Sequence, residues 1–450
     1  MIKKILIANR GEIALRIIRA CKELNIKTVS VFSEADELSL HTKFSDETVC
    51  IGPAHSAKSY LNIPSIISAA ELTNCDAIHP GYGFLSENSE FAQICNENNM
   101  LFLGASPDTI DLMGNKSEAR KTVSSLGVDI IPGSKDIIKD ADECKLVASQ
   151  IGYPVMIKAS SGGGGKGMRI VHQESDISNA FSSAQSEALA SFNDDRIYLE
   201  KFIEEPRHIE IQILSDMHGD TIALGERECS IQRRNQKIIE ESPSVAVSEE
   251  LREKMSKVAM HIARSVNYVG VGTIEFLLDK NKNFYFMEMN TRVQVEHPVT
   301  EMVTGIDIIK AQIKAHDNES IPKWMRNIKL RGHSIECRIT AEDPYNNFMP
   351  SPGKIKSLHL PSGMGVRIDT HIFAGYEIPP FYDSMICKLI VHGSDRNEAI
   401  EKMKNVLNEI VIEGIKTIIP YQLLILNNEK FITGEINTNF LNELSNLKES

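Results

Sequence analysis

The stretch GTIEFLLDKNKNFYFMEMNTRVQVEHP, from Gly272 to Pro298, decides how the chain is interpreted. Two runs typical of β-strands flank the polar cluster Asp279 to Asn283, which predicts a hairpin. A turn centred on this cluster places Glu275 about opposite Glu288. Because like charges that face each other across a strand pair destabilise it, we expect a cation between the two carboxylates.

The polar side chains continue beyond Glu288 with a period of two, which predicts that they share one face of a strand. The polar positions are Glu288, Asn290, Arg292, Gln294 and Glu296, and they alternate with Met287, Met289, Val293 and Val295. Two carboxylates and an amide, without His or Cys, suit Mg²⁺ that is completed by nucleotide phosphates and water. The alternative is a solvated sheet face, which explains alternating charge but not an all-polar run against an apolar partner face.

A second stretch, KASSGGGGKGMRIV from Lys158 to Val171, places four consecutive glycines between two strand patterns. Such a run weakens a hairpin unless its backbone has a task. Backbone N–H groups without side chains can lie against phosphate oxygens, and a flexible hairpin can close as a lid. A strand follows the GxGxxG match, so that match is accidental, and Gly167 after Lys166 rules out a Walker A loop. A floppy surface turn is the alternative.

The composition limits the class of protein. The chain has 450 residues, with 42% hydrophobic and 24% charged residues, a size that predicts about two or three domains. A net charge of -12 disfavours nucleic-acid binding. The eight cysteines form no CxxC pair, so neither a zinc site nor a disulfide framework is expected. Without an apolar run of membrane-spanning length, we predict a cytoplasmic protein that binds no membrane.

The first hundred residues alternate short β-rich runs with helical patterns, which predicts a doubly wound, Rossmann-like domain with a parallel sheet. Its first strand-to-helix turn, Asn9 to Glu12, lacks GxGxxG, so a nicotinamide cofactor is not expected. Further along, Asn115 and Glu118 have the spacing of a capping box that begins a helix.

Two other segments carry chemistry. In RHIEIQIL, alternation sets His208, Glu210 and Gln212 together, although His208 alone favours a structural role over a catalytic one by about two to one. The stretch ERECSIQRRNQKIIEESP concentrates basic residues that we expect to bind an anion: Arg227, Arg233, Arg234 and Lys237. An exposed basic face is the usual alternative.

These features together resemble the ATP-grasp superfamily. More narrowly, IANRGEIALRI, HPGYGFLSEN, EKFIEEPRHIEIQ and GHSIECRITAEDP resemble the biotin carboxylase family, and the similarity runs over essentially the whole chain. The resemblance implies an α/β and α+β protein: an N-terminal doubly wound domain, an ATP-grasp domain with a glycine-rich lid, and a C-terminal mixed α+β domain. The predicted domains are 1–114, 115–330 with the lid at about 131–203, and 331–450.

The resemblance also implies roles for individual residues. The ATP site would comprise Lys116, Lys158, Gly164, Gly165, Glu200, Lys201, Phe202, Ile203, His208, Glu275 and Glu288. Mg²⁺ or Mn²⁺ would be held by Glu275, Glu288 and Asn290. Bicarbonate would bind to Lys237, Arg292, Gln294 and Val295, and biotin to Arg338 and Tyr82. The catalytic residues would be Lys237, Arg292, Arg338 and, as general base, Glu296.

The implied function is ATP- and Mg²⁺-dependent carboxylation of biotin with bicarbonate, through carboxyphosphate. It would be the first half-reaction of acetyl-CoA carboxylase in fatty acid synthesis. The chain has no Ala-Met-Lys-Met biotinylation motif, so biotin is expected on a separate carrier protein. The implied partners are that biotin carboxyl carrier protein, carboxyltransferase subunits and a second copy of the chain, which would use the first helix with Arg16 and Arg19.

Three residues depart from the family pattern: Ser161, Lys166 and Asn235 stand where Gly, Arg and His are usual. Asn235 cannot become cationic, which puts a nucleotide contact in doubt. The nearest alternative function is the carboxylase component of a two-subunit pyruvate or acyl-CoA carboxylase. An ATP-grasp ligase acting on another carboxylate is a second alternative. A non-catalytic ATP-binding scaffold is disfavoured, because it has no need of Arg292, Glu296 and Arg338 together.

Overall fold

A computed structural model describes residues 1–134, 136–159, 167–192 and 194–449. The chain begins with alternating strands and helices. The strands are β1 (Lys4–Ile7), β2 (Lys27–Phe32), β3 (Glu47–Cys50), β4 (Ala77–His79) and β5 (Leu101–Phe102). The helices are α1 (Gly11–Glu23), α2 (Leu40–Phe44), α3 (Ile63–Leu72), α4 (Ser89–Glu97) and α5 (Pro107–Gly114).

The five strands form a parallel sheet in the order β3-β2-β1-β4-β5. Side chains alternate across β1, and its two faces pack into different cores. Ile5 lies in the core that contains Ile17 of α1, whereas Leu6 lies in the core that contains Ile66 of α3. Helices therefore cover both faces, which confirms the predicted doubly wound arrangement.

A smaller antiparallel sheet follows. Its strands are β6 (Val155–Ala159), β7 (Met168–Val171) and β8 (Ile197–Lys201). The helices in this part of the chain are α6 (Lys116–Ser125), α7 (Ala141–Ile151) and α8 (Ile177–Phe192). The sheet has the order β7-β6-β8 and packs on its own core with α7 and α8. As predicted, the Asn115 side chain caps α6 by accepting from the N–H groups of Ser117 and Glu118.

The two strands that flank the glycine run form the predicted hairpin. β6 pairs antiparallel with β7, with Lys158 opposite Met168. Residues 160–166, which include the predicted phosphate-binding Gly164 and Gly165, lie outside the described residues.

The remaining elements build a large antiparallel sheet and its surroundings. The strands are β9 (Arg207–Ser215), β10 (Thr221–Arg233), β11 (Gln236–Ser242), β12 (Gly270–Leu278), β13 (Phe284–Asn290), β14 (His333–Thr340), β15 (Glu342–Asp343), β16 (Met349–Pro350), β17 (Gly353–Lys354), β18 (Ser357–His359), β19 (Val366–Thr370), β20 (Glu377–Ile378), β21 (Met385–Gly393) and β22 (Val411–Glu413). The helices are α9 (Glu249–Ser265), α10 (His297–Thr304), α11 (Ile308–His316), α12 (Arg396–Glu409), α13 (Ile419–Leu426), α14 (Glu429–Thr433) and α15 (Phe440–Glu449). Short 3₁₀ turns lie at Glu34–Asp36, Ser56–Lys58, Glu174–Asp176 and Lys323–Asn327.

Eight of these strands form one sheet, in the order β13-β12-β9-β10-β11-β14-β21-β19. Its β11–β14 pairing joins the predicted ATP-grasp segment to the predicted C-terminal segment, with Glu240 opposite Glu336. The predicted boundary at 330/331 therefore falls within a continuous sheet, and the three-domain division stays a prediction. Among the described residues, no helix combines the length and the apolar composition needed to span a bilayer.

The prediction that one strand continues from Glu288 to Glu296 is wrong. β13 ends at Asn290, and Glu296 is the N-cap residue of α10. Pro298 accounts for the helix that follows, because its missing N–H cannot support a strand ladder but is tolerated in the first turn of a helix. Met287 and Val295 line the cleft described below instead of filling an opposite apolar face.

Candidate functional site

A cleft with a volume of about 2350 Å³ lies between the small sheet, the large sheet and the N-terminal segment. Every predicted site residue that the structure describes lines this cleft. They are Tyr82, Lys116, Lys158, Glu200, Lys201, Phe202, Ile203, His208, Lys237, Glu275, Glu288, Asn290, Arg292, Gln294, Val295, Glu296 and Arg338. Segments far apart in sequence therefore converge on one site.

The β12–β13 hairpin has the register that its sequence predicts, with Glu275 opposite Glu288. Protein cations lie beside both carboxylates. Lys237 Nζ is 3.2 Å from Glu275 Oε1, and Lys116 Nζ is 3.4 Å from Glu288 Oε2. Glu275 is buried, whereas 34% of the Glu288 side chain and 74% of the Lys116 side chain are exposed. The Lys116–Glu288 ion pair is therefore accessible to a ligand, which can replace either partner.

The residues of this hairpin fit a divalent cation. Glu275 and Glu288 offer hard oxygens from paired strands, and Asn290 lies next along the same edge. Ligand atoms of His208, Glu210 and Glu275 also lie within 4.8 Å of one another. The Glu275–Glu288 pair is the better candidate, because Glu288 is partly exposed to the cleft, whereas Glu210 is fully buried and already contacts Lys237 and Arg227.

Lys237 is the centre of the buried charge network. Its Nζ atom lies 2.7 Å from Glu210 Oε2, 3.2 Å from Glu275 Oε1 and 2.5 Å from Glu296 Oε1. Burial lowers the pKa of Lys237, but the three carboxylates outweigh it and hold this pKa well above the ordinary value. The residue is therefore a fixed cation.

Glu296 lies between two cations. Its Oε1 accepts from Lys237, and its Oε2 accepts from Arg338 Nη2 at 2.9 Å. Burial raises the pKa of Glu296, but Lys237 and Arg338 lower it more, so the net pKa is well below the ordinary value. At neutral pH the group is an ionised carboxylate that can accept a proton.

The sequence analysis missed Glu240, which orients Arg338. Glu240 Oε1 accepts from Arg338 Nε at 2.5 Å and also contacts Arg338 Nη2, the same nitrogen that donates to Glu296 Oε2. Burial raises the pKa of Glu240 to about 7 although Arg338 opposes this. Two adjacent glutamates that follow the β-branched pair Ile238–Ile239 in the strand segment KIIEES are the signal that could have found it.

Glu87 is a second missed residue. It comes from the N-terminal segment and holds Arg292, with Arg292 Nε 2.8 Å from Glu87 Oε2. Arg292 Nη2 also donates to Asn290 Oδ1 at 2.8 Å. Nothing in the local pattern around Glu87 indicates this contact, because its partner is about two hundred residues away.

The expected anion-binding cluster of basic residues divides into separate contacts. Arg227 is fully buried and donates to Glu210, Gln212 and Gln294. It therefore fixes the orientation of these three side chains without lining the cleft itself. The Arg233 guanidinium stacks over the Phe348 ring at 3.5 Å, and Arg234 donates to Asn347. Of this group, Lys237 lies among the predicted bicarbonate-binding residues.

The predicted ATP-site residues Glu200, Lys201, Phe202 and Ile203 lie on β8 and just after it, at one end of the cleft. The buried Glu200 carboxylate is paired with Lys158 and Arg120, so its side chain serves to position Lys158. The Lys201 and Phe202 N–H groups donate to the carbonyls of Pro132 and Pro154. Within the described residues the Ile203 N–H has no hydrogen-bond partner, and Ile203 lines the cleft.

His208 is buried beside Glu275, with 2.8 Å between His208 Nε2 and Glu275 Oε2. Burial lowers the pKa of His208, but Glu275 outweighs it and raises the net pKa. Alternation along β9 also holds as predicted, because Glu210 and Gln212 both bond to Arg227 while Ile209 and Ile211 enter the core.

The expectation for Arg16 as part of a dimer surface is wrong. Its side chain is buried and donates to Glu301 at 2.8 Å and to Asp307 at 2.7 Å. The Ile13–Ile17 stripe and Arg16 both face inward because α1 is covered on most sides, whereas Arg19 is exposed.

Comparisons with known proteins agree along the whole chain. Residues 1–110 match the family described as biotin carboxylase, N-terminal domain. Residues 115–323 match the carbamoyl-phosphate synthase L chain ATP-binding domain, and residues 336–443 match the biotin carboxylase C-terminal domain.

Relatives cover almost the full length. Biotin carboxylase 1 of Bacillus subtilis is 55% identical, covering 98% of both chains. A pyruvate carboxylase subunit from Methanothermobacter thermautotrophicus is 49% identical, covering 98% of this chain and 90% of its own.

Solved structures have the same fold. A biotin carboxylase–β,γ-ATP complex from Campylobacter jejuni is 51% identical with a TM-score of 0.92, covering 98% of this chain and 99% of its own. The biotin carboxylase domain dimer of Hydrogenobacter thermophilus 2-oxoglutarate carboxylase, in complex with MgADP, ADP and bicarbonate, is 45% identical with a TM-score of 0.91 and covers 98% of both chains. With this similarity, and a cleft lined by two facing carboxylates together with Lys237, Glu296 and Arg338, the chain belongs to the biotin carboxylase family of ATP-dependent carboxylases.

Proposed function

We propose that this protein uses ATP, Mg²⁺ and bicarbonate to carboxylate biotin carried on a separate biotin carboxyl carrier protein. The observation that carries the proposal is the Glu296 carboxylate, held between Lys237 and Arg338 in the same cleft as Lys116 and Lys158. One end of this cleft suits a polyphosphate, and the other suits a small anion beside a base.

The first step joins bicarbonate to the γ-phosphoryl group. Bicarbonate is a poor nucleophile, so Glu296 assists by removing its proton while Lys237 and Arg292 hold the anion. An anion beside Lys237 also takes up part of the positive charge that lowers the Glu296 pKa, which makes Glu296 a stronger base. The oxygen of bicarbonate forms a bond to phosphorus as the bond to ADP breaks, giving carboxyphosphate.

When bound, Mg²⁺ offsets charge on the phosphoryl oxygens, and Glu275, Glu288 and Asn290 are the residues that would hold it. Lys116, which lies beside Glu288, and Lys158, on the small sheet, would offset the same phosphoryl charge. Carboxyphosphate is a mixed anhydride that water hydrolyses, so a glycine-rich lid over the site would protect it.

The second step transfers the carboxyl group. Carboxyphosphate breaks down to CO₂ and phosphate, and the released phosphate accepts the proton of the ureido nitrogen of biotin. That nitrogen then attacks CO₂ and forms the new C–N bond. The guanidinium of Arg338 would stabilise the charge that develops on the ureido oxygen, with Tyr82 lining the biotin side of the cleft. Glu240 holds Arg338 in place for this contact.

We assign the reaction to acetyl-CoA carboxylase, as the first half-reaction of malonyl-CoA synthesis, with a homodimer of this chain and carboxyltransferase subunits as partners. The similarity to biotin carboxylase 1 of Bacillus subtilis supports this assignment. A two-subunit pyruvate carboxylase is the second candidate, which the relative from Methanothermobacter thermautotrophicus favours. Reconstitution with carrier and carboxyltransferase separates them, since malonyl-CoA forms in one case and oxaloacetate in the other.

The reaction itself is tested with free biotin as acceptor. Wild-type protein should hydrolyse ATP only with bicarbonate and should transfer label from [¹⁴C]bicarbonate to biotin. Arg292→Ala should reduce turnover by about a hundredfold, as expected for a lost charge-stabilising donor, and keep the thermal stabilisation by nucleotide. Absence of labelled biotin, or full turnover by Arg292→Ala, would contradict the proposal.

A further inference from the structure

Lys388 is a lysine in the middle of the apolar strand β21, and its side chain is 0% exposed. Lysine is almost never fully buried unless it is paired, so its contacts identify what it does. Its Nζ atom lies 3.0 Å from the carbonyl oxygen of Val295 and 3.0 Å from Glu12 Oε1. Burial lowers the pKa of Lys388, but Glu12, Glu336 and Asp369 outweigh it, so the side chain is a cation.

These contacts join two parts of the cleft. Val295 belongs to the loop between β13 and α10, which carries three of the four predicted bicarbonate-binding residues, the fourth being Lys237 of β11. Glu12 Oε1, the oxygen that contacts Lys388, also accepts from the hydroxyl of Tyr82 on the predicted biotin side. Within the described residues Glu12 Oε2 has no hydrogen-bond partner, so the carboxylate acts through this one oxygen.

The sheet places the same lysine beside Arg338. Lys388 is the register partner of Arg338 in β14 and of Asp369 in β19. Three segments therefore meet at one ion pair: α1 with Glu12, the loop with Val295, and β21 with Lys388. A buried ion pair with only a structural role can often be replaced by apolar residues without loss of stability. The contacts to both substrate sides give this pair a task in the reaction.

We propose that Lys388 and Glu12 are a positioning pair that fixes the Val295 loop and Tyr82 relative to each other, so that the bicarbonate and biotin sites are formed together. Neither residue touches the reacting atoms. The inference rests on the proposed function, because it names the residues that hold its two substrate sites.

The test measures KM values for ATP, bicarbonate and free biotin in Lys388→Met, Glu12→Gln and the double variant. Loss of a hydrogen bond to a charged group should raise the KM for bicarbonate and for biotin about tenfold. The KM for ATP should stay within about twofold, because the phosphate-binding residues do not contact the pair. The double variant should be no worse than the worse single variant, since both remove one interaction.

Arg252→Met is the matched control. Arg252 donates twice to the buried carboxylate of Glu226, at 2.6 and 2.7 Å, and neither residue lines the cleft. This variant should lose stability and keep all three KM values. If Lys388→Met fails to fold, Glu12→Gln, which keeps the side-chain volume, decides the question.

Three outcomes overturn the inference. The first is that a folded variant keeps its KM values for bicarbonate and biotin, and the second is that its KM for ATP rises as much as theirs. The third is that the KM increases of the two single variants multiply in the double variant. They are distinct from failure of the proposed function. In that case the wild-type protein itself would form no carboxylated biotin.

Discussion

The Glu296 carboxylate takes its properties from Lys237 and Arg338, which contact one oxygen each. Replacing Glu296 by Gln keeps the shape and removes the proton acceptor. We expect bicarbonate-dependent ATP hydrolysis to fall by about a hundredfold or more, the usual contribution of a general base. Nucleotide affinity, measured by calorimetry, should change little, because the proposed phosphate-binding residues are Lys116 and Lys158.

Glu241→Gln is the matched control for this substitution. Glu241 is also a buried carboxylate hydrogen-bonded to two basic side chains, those of His333 and Arg396, but it does not line the cleft. It should keep full turnover, whereas the Glu296 variant loses it. Equal activity of the two variants would exclude Glu296 as the base.

Glu241 also gives a pH-dependent stability. Burial raises the pKa of Glu241, but the contacts with His333 and Arg396 lower it by more, so the net pKa falls from 4.5 to about 2. Because the folded-state pKa is lowered, the ionised group stabilises the fold above about pH 4.5, and this is lost as the pH falls towards 2. Urea unfolding should show Glu241→Gln less stable by about 3 kcal/mol at neutral pH, with the gap closing in acid. A gap that is independent of pH would contradict this.

At the scale of elements, the sequence patterns correctly predicted the features that depend on neighbouring residues. The turn at Asp279 to Asn283 fixed the hairpin register, and the Asn115 cap fixed the start of α6. The pattern failed after Asn290, because the alternation of polar residues continued although β13 ends there and α10 begins at His297. The loop still directs Arg292 and Gln294 into the cleft, but tertiary contacts and not strand periodicity place them there.

The capped start of α6 also positions Lys116, the first residue of that helix. Asn115→Ala should destabilise the protein by about 1 kcal/mol and raise the KM for ATP several-fold, because Lys116 loses its fixed backbone. Thermal unfolding and ATP-dependent kinetics measure the two effects. Asn62→Ala removes the equivalent cap of α3, away from the cleft, and should lower stability without changing this KM. The same change in KM for both variants would mean that the cap acts only through stability.

At the scale of the molecule, the sequence predicted the order of α/β and α+β segments but not the sheet that connects them. The β11–β14 pairing and the Glu87–Arg292 ion pair join residues far apart along the chain. The periodicity of one segment carries no information about which distant strand or side chain that segment will contact. For the same reason Glu12, Glu240 and Lys388 could be seen only as charges in unusual places, and their partners became evident from the fold.

The proposed ATP site contains Lys158 of the small sheet and Glu275 and Glu288 of the large sheet. Because a bound ligand would contact both sheets, we expect it to stabilise the folded protein. At a concentration of one hundred times Kd, MgATP should stabilise the folded protein by about 2.7 kcal/mol, seen as a higher thermal midpoint. EDTA should remove the increment that depends on the metal. Glu288→Gln should remove the same increment and keep the smaller shift caused by metal-free nucleotide, since Lys158 is intact. If Mg²⁺ still added its full increment to the Gln variant, the facing carboxylates would not be the metal site.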